Sequence, residues 1–172
     1  ILDRARELED VTIKVFVGGD NAITRPLVRP IAGDLTAIGV ITVDAHHDVR
    51  VLDAGPTNGT PIRGLIEDGL PGGNVVQIGI HSFANSRAYR EYCDDEGISI
   101  IPMDDVERRG AEAAAEAALY RLGHVDRVYV DFDIDVLDCR APGAGSGTPG
   151  THLSSLCNLL KHFFRAMNLS VG

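Results

Sequence analysis

Two short acidic clusters hold most of the chemistry this sequence could perform. Asp44-Ala45-His46-His47-Asp48 follows the apolar run Ala37–Val43, and Asp131-Phe132-Asp133-Ile134-Asp135 closes the run that starts at Asp126. In extended backbone alternate side chains share a face. Asp44, His46 and Asp48 therefore present carboxylate, imidazole and carboxylate to one point, with Ala45 and His47 turned away. Asp133 and Asp135 repeat the spacing. Carboxylates this close repel one another unless a cation or a proton lies between them. Oxygen and imidazole donors together suit Mn²⁺, Zn²⁺ or Fe²⁺. Five such donors exceed what one tetrahedral zinc takes and match a pair of metals sharing carboxylates, which can acidify a common water for attack. His81, at the end of another apolar run, is a candidate acid or base, or a partly buried histidine satisfied by backbone.

Positioning these residues requires strands that end where the clusters begin. Val11–Val17, Ala37–Val43, Asn74–Ile80, Gly97–Ile101 and Asp126–Phe132 are β-branched runs bounded by Gly, Asp or Asn and read as strands. Helices are expected over Ile1–Asp10, Pro26–Gly33, Ser86–Glu96, Asp104–Leu122 and Leu153–Met167, the fourth from its Ala-rich stretch with Gly123 after it. Strands alternating with helices imply a mainly parallel sheet covered on both faces. Ligands of such sheets bind beyond the carboxyl ends of the strands. The polar clusters lie at those ends, together with Gly18-Gly19-Asp20-Asn21 after the first run.

The length of 172 residues suits one domain, since domains commonly run to about 100–200 residues. A net charge of −9 argues against nucleic acid as the partner, because phosphate binding needs clustered Lys and Arg. No apolar run approaches the roughly 18 residues of a membrane span, and no secretory signal is visible. Cys93, Cys139 and Cys157 are odd in number and widely spaced. They predict no disulfide framework, and a reducing cytoplasm fits.

Three motifs in order resemble the ureohydrolase family of arginases, agmatinases and formimidoylglutamases. They are Gly18-Gly19-Asp20-Asn21, Asp44-Ala45-His46-His47-Asp48, and Asp131 to Gly143 followed by Gly147-Thr148-Pro149-Gly150. The resemblance spans roughly residues 11–150. It implies a three-layer α/β/α fold and hydrolysis of linear amidine or guanidine C–N bonds by a metal-bridging hydroxide. It also implies two Mn²⁺ per subunit and a homo-oligomer, trimeric or hexameric. By position, Asp44 and Asp133 would bridge both metals, His46 and Asp135 would bind the second and Asp48 the first, with Asp138 in support. The family extends further on both sides, so the chain reads as one arginase-like domain truncated at both ends, and Thr151–Gly172 does not match the family's continuation.

The departures from the family pattern steer the substrate. Asn21 stands where the family has a ligand His, and an amide oxygen is the weaker donor. Asn58 stands where arginases carry a proton-transferring His, which Asn cannot replace. GGDN with Asn58-Gly59-Thr60-Pro61-Ile62-Arg63 resembles the formimidoylglutamase-type branch, whose substrate is an amidine ending in two carboxylates. Arg63 is then the candidate carboxylate clamp, because its planar fork suits bidentate pairing, with Asn85 and Arg87 behind it. A urea-releasing agmatinase, guanidinobutyrase or arginase is the second reading. A metal-poor, non-catalytic family member is the third.

Overall fold

The computed structural model describes residues 13–137 and 153–166. Four of the apolar runs become strands: β1 Ile38–Val43, β2 Val75–Ile80, β3 Ser99–Pro102 and β4 Arg127–Phe132. They lie in the order β3-β2-β1-β4, and every pairing is parallel. Residues of β1 and β2 are buried along their whole length, as expected for a parallel sheet covered on both faces. The helices are α1 Thr24–Ala32, α2 Pro61–Glu67, α3 Arg87–Glu96, α4 Met103–Arg109, α5 Ala111–Arg121 and α6 Leu153–Ala166.

Alternation along β1 splits the core in two. Ile41 and Val43 pack with Val76, Ile78 and the buried residues of α4, α5 and α6. Ile38 and Val40 face the other way, onto Val28, Ile62, Leu65 and Cys93 of α1, α2 and α3. The expected three-layer α/β/α arrangement is therefore present. Helix ends follow local chemistry. The Ser86 hydroxyl accepts from the Tyr89 N–H at the start of α3, and Gly97 ends that helix in the left-handed conformation.

Two expectations are corrected. The helix expected over Asp104–Leu122 is two helices, because Gly110, at φ 88° and ψ 154°, turns the chain between α4 and α5. Only glycine adopts such backbone without strain. The strand expected over Val11–Val17 is absent at residues 13–17, and 11–12 lie outside the described residues. Val15 and Val17 are exposed there. A β-branched run without a ladder partner leaves its backbone to water and is not a strand. The expected helix at Ile1–Asp10 also lies outside the described residues, and α6 agrees with the run expected from Leu153.

The sheet order decides where a site can form. From β1 the chain moves outward through β2 to β3, then returns to pair β4 on the opposite side of β1. This reversal opens a crevice at the carboxyl ends of β1 and β4. The register sets Val43 beside Phe132, and the Asp133 N–H donates to the Val43 carbonyl at 3.0 Å. The residues that follow the two strands are thereby brought side by side.

Candidate metal centre

Beyond β1 the chain is held rigidly by its neighbours. The Asp44 N–H donates to the Ile78 carbonyl at 3.0 Å, and the His81 N–H to the Ala45 carbonyl at 3.1 Å. Asn85 reaches back from the segment before α3. Its amide nitrogen donates to the Ala45 carbonyl at 2.9 Å and the His81 carbonyl at 3.3 Å, while its oxygen accepts from the His47 N–H at 2.9 Å. The His47 side chain is buried against Gln77. The amide nitrogen of Gln77 donates to the His47 carbonyl at 2.8 Å, which leaves its oxygen to accept from Nδ1–H at 2.6 Å. Burial holds the imidazole below its ordinary pKa, so it is a neutral strut behind His46.

Asp48 closes the segment with φ at 55°. Aspartate tolerates this left-handed backbone better than most residues, and strain of this kind gathers at functional sites. Its carbonyl accepts from the Ile62 and Arg63 N–H groups at the start of α2, at 3.2 and 3.4 Å. The intervening loop is tied by Thr57 and Thr60. The Thr57 N–H donates to the Thr60 hydroxyl, which itself donates to the Thr57 carbonyl, both at 2.9 Å. This turn presents Asn58 and Gly59 beside the crevice.

Asp44, His46, Asp48, Asp133 and Asp135 together line one open cleft beyond the carboxyl ends of β1 and β4. Asp44, His46 and Asp135 each offer a donor atom, and these atoms lie within 4.8 Å of one another. His46 Nδ1 is 2.8 Å from Asp135 Oδ2 and 3.5 Å from Asp44 Oδ1. The imidazole sits in the place of a cation between the two carboxylates, and its pKa is pushed up to about 10 by Asp135 first and Asp44 second. Burial pushes Asp44 up to about 7 and, reinforced by Asp44 itself, Asp48 up to about 9. Burial also raises Asp133. At Asp135 burial is the largest influence and acts upward, but the bond and charge of His46 together with the hydrogen bonds of Asp44 and the Ala45 N–H outweigh it and hold that carboxyl low.

Asn21 joins the cluster from the 3₁₀ turn ahead of α1. Its amide nitrogen donates to Asp48 Oδ2 and lies 3.5 Å from Asp44 Oδ2. The Thr24 hydroxyl lies between the Asn21 oxygen, at 2.9 Å, and Asp131 Oδ2, at 2.7 Å. Carboxylates that must hold protons, borrow an amide or clasp an imidazole to coexist are a donor set short of positive charge. The residues fit divalent metal on that ground.

The model of the family described as "Arginase family" matches residues 3–170. The chain belongs to the arginase family. A formimidoylglutamase of Halalkalibacterium halodurans is 45% identical over 140 residues, covering 79% of this chain and 44% of that relative. The crystal structure of formimidoylglutamase from Bacillus subtilis superposes with a TM-score of 0.86 at 33% identity, over 94% of this chain and 53% of that one. A Trypanosoma cruzi formiminoglutamase solved with Mn²⁺ superposes with a TM-score of 0.83 over 92% of this chain and 55% of that one; at 24% identity it speaks to the fold. The chain spans about half the length of the curated relatives it matches.

Within this arginase-family chain the sequence-expected residues part company. The five acidic and histidine candidates share the cleft floor, Asn58 lines its wall, and Asn21 touches Asp48. Asn85 also lines the wall, but its amide is committed to backbone, which makes it a brace for the Ala45–His47 segment. His81 is buried, with its pKa lowered by that burial, and does not line the cleft. Arg63 is absent from the lining: its Nε pairs with Glu67 at 3.0 Å and its guanidinium stacks on Tyr92, 4.4 Å from the ring centre. Arg87 pairs with Glu91 at 2.7 Å on the exposed side of α3. Asp138 lies outside the described residues. Sequence reading overlooked Arg50 and Tyr89, both on the cleft wall. A signal for Arg50 was available: it stands only two residues beyond Asp48.

Proposed function

We propose that this chain carries the metal-binding core of a Mn²⁺-dependent amidine hydrolase that converts N-formimidoyl-L-glutamate and water to L-glutamate and formamide. The observation that carries this reading is the convergence of Asp44, His46 and Asp135 donor atoms at the paired ends of β1 and β4, with Asp48 and Asp133 on the same floor. Its support in substrate comes from formimidoylglutamases between 34% and 45% identical to this chain.

In this reading those five residues hold a metal pair, with Asn21 a weak neutral donor beside Asp48. Bound metal supplies Lewis-acid charge and brings a water within reach of deprotonation near neutral pH. The chain does the rest by orientation. Asn85 and Gln77 fix the backbone that aims His46, as outer partners of metal ligands commonly do. The Thr57–Thr60 turn holds Asn58 at the wall, where its amide can orient the amidine nitrogens. Asp138, outside the described residues, would support the ligands as the family resemblance implies. No helix among the described residues is long and apolar enough to cross a membrane.

Product formation tests the proposal directly. Mn²⁺-loaded protein is expected to release formamide and glutamate from N-formimidoyl-L-glutamate and no urea from agmatine or arginine. Urea from either control would move the chain to the guanidine-cleaving branch. No product from any of the three would reject catalysis by this chain.

A further inference from the structure

We propose that Thr24, anchored on Asp131, is a positioning residue that turns the Asn21 amide so that its oxygen faces Asp44 and Asp48 when metal is bound. This rests on the metal-centre reading of the same cleft. Thr24 is fully buried at the first position of α1. Its hydroxyl stands 2.7 Å from Asp131 Oδ2 and 2.9 Å from the Asn21 side chain. Asp131 is held in place by the strand ladder, beside Thr42 of β1. Tyr129, two residues earlier on β4, interacts with the same hydroxyl. The far end of the Asn21 amide reaches Asp48 and lies 3.5 Å from Asp44 Oδ2. Asn21 thus spans the distance from a buried hydroxyl to the metal-binding carboxylates.

A threonine hydroxyl has one proton to give and lone pairs with which to accept. In the present arrangement the amide nitrogen of Asn21 donates to Asp48 and its oxygen meets Thr24. The Thr24 hydroxyl then lies between two acceptors, Asn21 Oδ1 and Asp131 Oδ2, and a single proton cannot serve both. As a carboxylate, Asp131 accepts and cannot donate, and a charged acceptor forms the stronger bond. The proton therefore goes to Asp131, which leaves Thr24 with lone pairs for Asn21. They are matched when the amide nitrogen is on the Thr24 side. The two ends of an amide have nearly the same shape, so the exchange needs a half-turn of the amide and no movement of the backbone. A divalent cation among the carboxylates calls for oxygen on its side. The same half-turn satisfies both ends at once, oxygen toward Asp44 and Asp48, and nitrogen toward Thr24. Asn21 serves as a metal donor because Thr24 and Asp131 hold its nitrogen away from the cleft.

Calorimetric titration of the full chain with Mn²⁺ tests this, on the wild type, Thr24→Val, Thr24→Ser, Asn21→Ala and the Thr24→Val/Asn21→Ala double variant. Valine keeps the shape of threonine and removes the hydroxyl. Thr24→Val is expected to weaken the looser Mn²⁺ site by about 10-fold or more, the usual effect of losing an outer partner of a metal ligand. Thr24→Ser should keep most of the wild-type affinity. Asn21→Ala should lose a factor similar to Thr24→Val. On that background Thr24→Val should change the affinity by less than about twofold, because its effect passes through Asn21. A general packing defect would weaken binding in both backgrounds, and circular dichroism establishes that each variant is folded. The proposal is overturned if Thr24→Val binds Mn²⁺ as tightly as the wild type, if Thr24→Ser binds no better than Thr24→Val, or if the loss persists in the Asn21→Ala background. Wild-type protein that binds no Mn²⁺ would overturn the metal-centre reading and this proposal together. Mn²⁺ binding without turnover of N-formimidoyl-L-glutamate would reject the hydrolase reading alone, because the titration still decides the role of Thr24.

Discussion

Removing metal should make the protein less stable as pH rises, and the acidic floor gives the size of the effect. Asp44 is buried, and its carboxyl titrates near 7 in place of the ordinary 3.8. Unfolded chain loses this proton first, so between those pH values the folded state binds more protons than the unfolded state. Stability then falls with increasing pH, because its slope follows protons bound unfolded minus protons bound folded. Each pH unit costs about 1.4 kcal/mol per carboxyl. From about pH 5 to about pH 7, Asp44 alone removes about 3 kcal/mol, or about 6–12 °C of Tm for a chain of this size. Asp48, pushed up to about 9, acts in the same sense and carries the decline further. Mn²⁺ should reverse the slope, since it binds the deprotonated ligands and stabilises the fold more as protons leave. The assay is thermal unfolding followed by circular dichroism across this pH range, with chelator and with Mn²⁺. Asp44→Asn keeps the shape and the acceptor for the His46 N–H, 2.7 Å away, and removes the charge. With chelator at about pH 8 this variant should be the more stable protein by several degrees, and Mn²⁺ should no longer raise its Tm fully. A chelated wild type that gains stability with pH, or an Asp44→Asn variant that is less stable at that pH, would refute the account of the floor as carboxylates lacking a cation.

Three further outcomes follow from neighbouring contacts. Asn21→His replaces a neutral amide with the stronger imidazole donor and should tighten Mn²⁺ binding by about tenfold or more; calorimetric metal titration showing unchanged affinity would remove Asn21 from the site. Gln77→Leu strips both buried partners from His47, at about 1–3 kcal/mol for each orphaned group, and should lower the urea midpoint with little change in the slope of the transition. Arg63→Ala loses an exposed ion pair and a stacking contact worth about 1 kcal/mol together, and should leave KM for N-formimidoyl-L-glutamate unaltered; a large rise in KM would return the clamp to Arg63.

Much of this architecture was legible because its signals are local. β-branched runs of five or six residues bounded by Gly, Asp or Asn mark Ile38–Val43, Val75–Ile80 and Arg127–Phe132 as strands, and place the Asp44–Asp48 cluster directly after the first of them. The strand at Val11–Val17 failed for the complementary reason: composition encodes a preference for extended backbone but not the existence of a neighbour to pair with. The helix across Gly110 failed because a single backbone angle, invisible to an average of helix propensity, divides it.

What the sequence by itself determined is the set of donors and their spacing, and hence the need for positive charge among them. It also determined the parallel α/β class, since both follow from periodicities that survive without tertiary contacts. Which cation faces the cleft was decided only by the fold. Arg50 and Arg63 are both arginines near one motif. One lies on a glycine beside the cleft, and the other pairs with Glu67 of its own helix and stacks on Tyr92 of α3. The union of Asp44 with Asp133, 89 positions apart, likewise depends on β4 returning to pair beside β1. Direction and neighbourhood of a side chain depend on register and packing between distant segments, and no local pattern contains them.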